Sequence, residues 1–237
     1  MKLEVGPAGD YEAPSCFQED LFAVLGDQRP DHRWLIIGPE RSGSTFHKDP
    51  NATSAWNAVV RGSKYWIMFP PYIMPPGVFV SDDQSEVTSP LSIGEWLLSF
   101  HEEARQTSGC LEGVCEEGEV LHVPSGWWHL VVNLDPAIAI TQNFVPRSHV
   151  GSVVDFLDRK RAQISGFKDD VTDPLELFLG RLKEEYPGLA VELKRDDADK
   201  SRKRKWEEVV APASVENASS GAFSFGFGDD LESEPED

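Results

Sequence analysis

The 237-residue sequence has few cysteines and no long apolar run. Its three cysteines, Cys16, Cys110 and Cys115, are too few for a disulfide framework and lack the paired spacing of a zinc knuckle. No apolar stretch approaches the ~20 residues that cross a bilayer, and the first residues contain no apolar signal segment. We therefore expect a protein with free thiols in a reducing compartment, without a membrane partner.

Basic residues are also few compared with acidic ones: 22 Lys and Arg stand against 41 Asp and Glu, so the formal net charge is −19. From residue 207 to 237 there are nine acidic and no basic residues. Direct nucleic-acid binding is not expected of such a chain, because it requires positive charge that displaces counterions. The exception is the basic cluster from Lys200 to Lys205, which predicts a nuclear import signal. The alternative is a solvated charge run in a linker, with the protein in the cytoplasm.

Short apolar runs broken by glycine and proline dominate the middle of the chain. The runs at 54–60 and 63–69 meet at Arg61-Gly62, a two-residue hairpin signal. Many short strands separated by turn residues predict a mainly β fold, either a barrel or a double-sheet sandwich. The composition divides the chain into a lead-in over 1–33, a β core over 34–148, helices over 149–190 and a disordered acidic tail over 191–237.

Three segments have helical spacing. Residues 95–106 and 152–164 place apolar side chains on one side, and Asp173-Pro174 predicts an N-cap and first turn of a helix that continues to Tyr186. The last two helices have more apolar surface than solvent-facing helices need, so they either cover the β core or form a homodimer interface. Loops are expected over 77–92 and in the Gly- and Glu-rich stretch that holds Cys110 and Cys115.

A histidine and an aspartate two residues apart are the most informative pair in the sequence. His47 and Asp49 are separated by Lys48, and side chains two apart on a strand point to the same face. A second imidazole, His129, closes the run Val123-Pro124-Ser125-Gly126-Trp127-Trp128-His129. Two imidazole nitrogens and one carboxylate oxygen on one face of a metal leave positions open, which suits a non-haem Fe(II) that binds a cosubstrate and dioxygen.

One lysine interrupts an apolar strand. Lys64 is followed by Tyr65-Trp66-Ile67-Met68, where an unpaired buried ammonium would cost several kcal/mol. A dicarboxylic cosubstrate would supply the missing anionic partner. The alternative is an outward position on the strand, with the ammonium in water.

The stretches that contain or flank these residues are informative when they are taken together as a set. They are Gly38 to Ser44, His47 to Asn57, Gly62 to Trp66, Val123 to His129 with Asn133-Leu134-Asp135, and Ile138 to Phe144. As a set they resemble the Jumonji-C (JmjC) Fe(II)/2-oxoglutarate oxygenases, and most of all the branch described as bifunctional arginine demethylase and lysyl-hydroxylase. The resemblance covers roughly residues 10–190 and is more specific as a set than motif by motif.

The resemblance implies a double-stranded β-helix core of the jelly-roll or cupin type. It assigns the iron and the catalysis to His47, Asp49 and His129, and the distal carboxylate of 2-oxoglutarate to Lys64. The remaining cosubstrate pocket would be lined by Ser44, Asn57, Thr141 and Asn143. The implied reaction uses Fe(II), 2-oxoglutarate and dioxygen to hydroxylate a protein side chain, by lysyl hydroxylation or by demethylation of N-methyl-arginine or N-methyl-lysine. The expected substrate is a protein or peptide with basic side chains.

A departure from the family pattern leaves alternatives open. Relatives carry substantial sequence before the matched core, whereas only about forty residues precede His47, so we expect a shortened form or a piece of a larger protein. The second interpretation is a catalytically silent JmjC fold that serves as a binding module. A cupin-like metal isomerase is a third, although that class has more histidines near the metal. His122 is a weak competing ligand, and His32, His101 and His149 are expected in surface positions.

Overall fold

The structure is a computed structural model that describes residues 11–82, 87–90 and 92–193. The basic cluster at 200–205 and the acidic tail predicted from the sequence lie outside these residues. Within the described ranges, no helix combines the length and the apolar character needed to cross a membrane.

Ten strands and three α-helices make up about half of the described chain. The strands are β1 (Arg33–Gly38), β2 (Gly43–His47), β3 (Ser54–Arg61), β4 (Lys64–Phe69), β5 (Phe79–Val80), β6 (Val87–Thr88), β7 (Leu111–Cys115), β8 (Val120–Val123), β9 (Trp128–Asn133) and β10 (Ala137–Phe144). The helices are α1 (Ile93–Gln106), α2 (Val150–Arg159) and α3 (Pro174–Glu185). A 3₁₀ segment, Leu21–Gln28, precedes β1, and residues 187–193 are helical after α3.

Eight of the strands form two antiparallel four-stranded sheets. Their orders are β1-β10-β3-β8 and β2-β9-β4-β7, while β5 and β6 form a separate pair. The inner faces of the two sheets pack on each other through a shared apolar cluster that includes Val59, Trp66 and Val131. Strands that alternate between two facing sheets in this way form a double-stranded β-helix, so the predicted jelly-roll core is confirmed.

The prediction of a β-hairpin at Arg61-Gly62 is wrong, because β3 and β4 lie in different sheets. Strand β3 pairs with β10 and β8, whereas β4 pairs with β9 and β7. Gly62 has a φ of +78°, and a Cβ atom there would lie 2.6 Å from the carbonyl oxygen of Pro136. The turn therefore needs glycine, as expected, but it carries the chain from one sheet to the other. The local sequence specifies a turn and not the strand that becomes the neighbour.

Two segments predicted as loops contain strands. Strands β5 and β6 are two residues long each, and α1 begins after Ser92, whose hydroxyl accepts a hydrogen bond from Glu95 N. Among the strands that the structure describes, β7 pairs only with β4, and its first four residues are exposed. An exposed edge strand shows no apolar alternation, which is why the sequence did not reveal it. All three cysteines are free thiols, and Cys115 at the end of β7 is buried.

Helices α2 and α3 pack with the 3₁₀ segment into a second apolar cluster, here called the helical cluster. Phe22 and Phe178 meet edge to face with ring centroids 4.9 Å apart, beside Leu157 of α2 and Leu182 of α3. The Asp173 side chain caps α3 by accepting from Glu176 N, as its position predicted. Because this packing covers the apolar side of α3 within the chain, composition alone does not require a second copy to cover it.

Alternation along the central strands separates inward from outward side chains. The inward set of β3, β4 and β9 comprises Ala55, Asn57, Val59, Lys64, Trp66, Met68, His129, Val131 and Asn133. The outward residues of β4 and β9 pack under α1, where Phe69 and Leu130 are fully buried. Outward Trp56 of β3 is covered by Tyr11, with ring centroids 5.7 Å apart. The polar residues on these strands are therefore concentrated on the inner face.

Candidate metal and cosubstrate site

A cavity of ≈ 490 Å³ opens between the two sheets. All eight residues singled out from the sequence line it: Ser44, His47, Asp49, Asn57, Lys64, His129, Thr141 and Asn143. They come from five strands, β2, β3, β4, β9 and β10, and from the turn after β2. The volume is in the range of small-molecule sites.

A β-bulge in β2 directs two of these residues into the cavity. Ser44 pairs with Val131 and His47 with His129, so three steps along β2 match two along β9. Without the extra residue, side chains three apart would face opposite sides of the sheet. The intervening Phe46 points the other way and packs against Trp96 of α1. Ser44 also lines the cavity, but it is exposed.

The imidazoles of His47 and His129 are in contact, with ring centroids 4.1 Å apart. Each Nδ1 lies near the carbonyl oxygen two residues earlier, at 2.8 Å from Thr45 O and 3.2 Å from Trp127 O. A proton on each Nδ1 satisfies these carbonyls and leaves each Nε2 lone pair available to a metal. The backbone thus fixes both rings in the tautomer that metal binding needs.

Burial adjusts the protonation of all three predicted metal ligands. It lowers the pKa of His129 to about 4, and it lowers the pKa of His47, which the adjacent His129 lowers further. Both imidazoles are therefore neutral at pH 7, as metal ligands must be. Burial raises the pKa of Asp49 to about 6, although the His47 charge and a hydrogen bond from Asn143 act in the opposite direction.

Asp49 lies on the same cavity wall and keeps one carboxylate oxygen free. Its Oδ1 accepts a long, 3.5 Å hydrogen bond from Asn143 Nδ2, while its buried Oδ2 has no partner. In the part of the chain that the structure describes, no three His, Cys, Asp or Glu side chains already stand close enough to hold a metal. The predicted convergence is thus met by the two imidazoles and not by the carboxylate, which Asn143 holds toward β10.

The donor set nevertheless suits Fe(II). Two neutral imidazoles and a carboxylate with an orphaned oxygen are the ligand types of a facial site. The backbone of Asp49 is extended, with φ −64° and ψ 148°, so it stays on the His47 side of the chain although β2 has already ended. A three-ligand face would require the Asp49 carboxylate to move toward the two imidazoles.

At the other end of the cavity, Lys64 points inward and not into water. Its side chain is 3% exposed, and Nζ donates to Asn133 Oδ1 at 2.8 Å. Burial lowers its pKa, and among the described residues no carboxylate forms an ion pair with it. Asn133 is held in turn by its own donation to Ser42 Oγ at 2.9 Å. An oriented ammonium without a carboxylate partner is a site for an anion.

The neutral residues predicted for the pocket differ in their free hydrogen-bonding capacity. Thr141 Oγ1 donates to the carbonyl oxygen of Trp56 at 3.0 Å. Asn143 donates to Thr53 Oγ1 at 2.9 Å, in addition to its contact with Asp49. Asn57 is 4% exposed, and its Oδ1 has no partner. Asn57 is therefore the neutral side chain most available to a ligand.

Two cavity residues were not recognised as site residues from the sequence. Asn133 orients Lys64, and Trp66 stacks on His129 with ring centroids 6.0 Å apart while its buried indole N–H has no partner. Both could have been found from the alternation of side chains along a strand, which places every second residue on the same face. Trp66 is two residues after Lys64, and Asn133 is four residues after His129.

The weak competing ligand, His122, does not reach the cavity. It lies on the outer face of β8, where its ring centroid is 5.3 Å from Phe17 and 5.9 Å from Phe144. His32, His101 and His149 also lie outside the cavity lining. His149 is bonded to the buried Ser54 hydroxyl, so it is less of a surface residue than expected.

A second cavity, of ≈ 700 Å³, shares His47 and Asp49 with the first. Its walls are largely apolar and include Met74, Trp128 and Phe156. Lys48 also lines it, with Nζ 4.6 Å from the centre of the Trp128 ring. His47 and Asp49 therefore lie between an inner cavity, which also contains His129 and Lys64, and an outer cavity, which Lys48 and Trp128 line.

Comparison with known proteins gives a consistent set of relatives. Residues 11–149 match the family described as Cupin-like domain. The chain is 45% identical over 221 residues to the arginine-specific demethylase JMJ22 of Arabidopsis thaliana, which covers 92% of this chain and 43% of that protein. It is 38% identical over 141 residues to the bifunctional arginine demethylase and lysyl-hydroxylase psr-1 of Caenorhabditis elegans, covering 57% and 35%. It is 29% identical over 174 residues to the 2-oxoglutarate and iron-dependent oxygenase JMJD4 of Danio rerio, covering 71% and 40%.

The chain spans less than half the length of these curated relatives. The matched segment nevertheless takes in every strand described above and more than half of the sequence. The chain therefore belongs to the cupin-like domain family, in its JmjC branch.

Proposed function

We propose that this chain is the core of an Fe(II)- and 2-oxoglutarate-dependent dioxygenase that hydroxylates a protein side chain. The observation that carries the proposal is a single cavity with two touching neutral imidazoles at one end and a buried ammonium at the other. Bound Fe(II) would supply the redox chemistry, which couples decarboxylation of 2-oxoglutarate to insertion of one oxygen atom into a substrate C–H bond.

The residues of the cavity divide the binding work between its two ends. His47, His129 and Asp49 would hold the metal. Lys64, oriented by Asn133, would pair with the distal carboxylate of the cosubstrate. Apolar side chains between the ends, among them Val123, Ala55 and Val131, exclude water and strengthen these charged contacts.

The outer cavity is the route by which a substrate side chain would reach the metal. It shares two of the predicted metal ligands with the inner cavity, and apolar residues in its wall, such as Met74 and Phe156, suit the methylene stem of a lysine or an arginine. Asp82 at the same cavity supports a basic substrate, whereas the ammonium groups of Lys48 and Lys160, which also line it, disfavour a second positive charge. We therefore favour a substrate that presents one basic side chain at a time.

The reaction and its location follow from different observations. Hydroxylation and demethylation share the first step, oxygen insertion into a C–H bond, and differ in which carbon the cavity receives. The names of the relatives, arginine-specific demethylase and bifunctional arginine demethylase and lysyl-hydroxylase, support either outcome. We favour hydroxylation, because that product needs no bond cleavage after the oxygen is inserted. The basic cluster at 200–205 supports a nuclear location.

One observation favours a second candidate, a silent binding module of the same fold. The structure does not bring Asp49 into the group formed by His47 and His129. A protein that cannot complete this group would bind neither metal nor cosubstrate tightly. An oxoglutarate analogue separates the candidates, because it raises the melting temperature only of a chain whose pocket binds it.

The proposal is tested by turnover. The full chain, reconstituted with Fe(II), is incubated with 2-oxoglutarate and basic peptides, and succinate and peptide mass are measured. We expect Fe(II)-dependent succinate and a mass gain of one oxygen atom on a peptide, both absent from His129→Ala. Folded, iron-loaded protein that forms no succinate with or without peptide would leave the binding module as the better interpretation.

A further inference from the structure

The turn that follows Asp49 is strained. Asn51 has φ 54° and ψ 25°, and Ala52 has φ 52°, so two consecutive residues with side chains adopt the left-handed conformation. L-residues avoid this region because Cβ crowds the backbone, and alanine has no polar group to compensate. Such a conformation persists only when its surroundings hold it in place.

A buried amide supplies this hold. The Asn51 side chain is 2% exposed; its Nδ2 donates to Ser165 O at 2.9 Å, and its Oδ1 accepts from Ser165 N at 3.1 Å. Both polar atoms of the amide are therefore bonded to the main chain of one residue, 114 positions away. A third hydrogen bond, from Ser125 Oγ to Ala52 O at 2.6 Å, fixes the next residue of the turn.

Ser165 lies in the loop between α2 and α3, and this loop is anchored in the helical cluster. Its neighbours Ile164 and Phe167 pack against that cluster, where the Phe167 ring centroid is 6.3 Å from that of Phe22. The adjacent carbonyl of Gly166 accepts a hydrogen bond from Asp31 N at 3.0 Å. The main chain that Asn51 binds is thus held from both sides.

We propose that Asn51 is a positioning residue for Asp49, through which the helical cluster sets the metal affinity of the site. The inference rests on the proposed metal site and adds a residue that positions one of its ligands. Asn51 fixes the turn two residues after Asp49, while Asn143 contacts the carboxylate itself from β10. Without the Asn51 bonds the turn is no longer tied to the Ser165 main chain. The Asp49 backbone that leads into the turn is then free to move, and its carboxylate is no longer kept beside the two imidazoles that would share a metal with it.

The test uses Asn51→Gly in the full chain, with Co(II) alone as the probe. Glycine adopts the left-handed conformation without strain, so this change removes the two amide bonds and little else. We expect Co(II) affinity to fall about tenfold, the usual effect of losing a partner that orients a ligand, and the Co(II) absorption spectrum to change. Ser165→Ala is the matched control, because it leaves the main-chain bonds intact and should retain the wild-type affinity and spectrum.

A second control separates positioning from stability. Ser92→Ala removes the N-cap of α1, where the Ser92 hydroxyl accepts from Glu95 N at 3.1 Å, and Ser92 lines neither cavity; it should lower the melting temperature without changing Co(II) binding. Wild-type Co(II) affinity and spectrum in Asn51→Gly would overturn the inference while leaving the metal site in place. If that variant does not fold, Asn51→Asp, which keeps the acceptor for Ser165 N, decides by the same criterion. A wild-type chain that binds no Co(II) would overturn the metal site and this inference together.

Discussion

The two ends of the inner cavity are built differently. At the carboxylate end, Lys64, Asn133 and Ser42 already form a connected chain of hydrogen bonds with the ammonium in place. At the metal end, the imidazoles of His47 and His129 touch, but the Asp49 carboxylate stands apart with an unpartnered oxygen.

This difference follows from charge. One ammonium can be buried beside a neutral amide oxygen, because its cost is partly offset by a charge-assisted hydrogen bond. Two imidazoles and a carboxylate in contact would desolvate one another, and burial already shifts their pKa values toward the neutral forms. The Lys64 site for an anion is thus preformed, whereas the three-ligand site for a metal is not.

The largest effect is expected from His129→Ala. Removing one of the two imidazoles in contact should weaken Co(II) or Fe(II) binding by more than roughly 100-fold, beyond the effect of losing an orienting partner, and abolish turnover. Metal titration followed by absorption measures this. His122→Ala is the control, since His122 lies on the outer face of β8; an equal loss in both variants would contradict the assignment of the metal end.

The next largest effect is expected from Lys64→Met, which keeps the apolar stem and removes the charge. Loss of a charge-assisted contact should weaken 2-oxoglutarate binding roughly 100-fold. The free energy of unfolding should fall by no more than about 1 kcal/mol, because the variant no longer buries an ammonium. Calorimetric titration and urea unfolding measure the two quantities. Unchanged 2-oxoglutarate binding in this variant would show that the carboxylate end lies elsewhere.

A smaller effect should come from Asn133→Ala, which leaves the Lys64 charge but removes the amide that orients it. We expect about tenfold weaker 2-oxoglutarate binding and unchanged metal binding. The ratio of the two affinities, measured by titration with 2-oxoglutarate and with Co(II), separates the two ends. Loss of both affinities would mean that Asn133 acts on the fold as a whole.

The smallest effect is expected from a substitution in the strained turn that follows Asp49. Ala52→Gly removes a Cβ atom from a residue with φ 52°. Relief of left-handed strain exceeds the added chain entropy of glycine, so the free energy of unfolding should rise by about 1 kcal/mol. Urea unfolding measures it. A lower stability would show that the turn is not strained in solution.

The sequence predicted which segments form strands better than it predicted which strands pair with each other. Alternating runs and turn residues were enough for a mainly β fold, but the turn at Gly62 was assigned to a hairpin because local sequence does not encode which sheet the next strand joins. Edge strand β7 escaped notice because its exposed residues have no reason to alternate.

The same holds for the site residues: relations within one segment could be predicted from the sequence, whereas contacts between distant segments could not. His47 and Asp49 could be paired from their spacing, because an extended backbone places them on one side whether or not the strand continues. The bulge that brings Ser44 and His47 to one face could not be foreseen, since it depends on pairing with β9. The bonds from Asn51 to Ser165 join residues 114 positions apart, a separation at which no local pattern indicates contact.

The most direct test is a titration of 2-oxoglutarate into the full chain, followed by calorimetry with and without Mn(II) as a redox-inert substitute for Fe(II). If one cavity holds the metal at one end and the dicarboxylate at the other, binding should show one site per chain and should be strengthened by Mn(II). Equal affinity with and without Mn(II), or no binding by the folded chain, would contradict it.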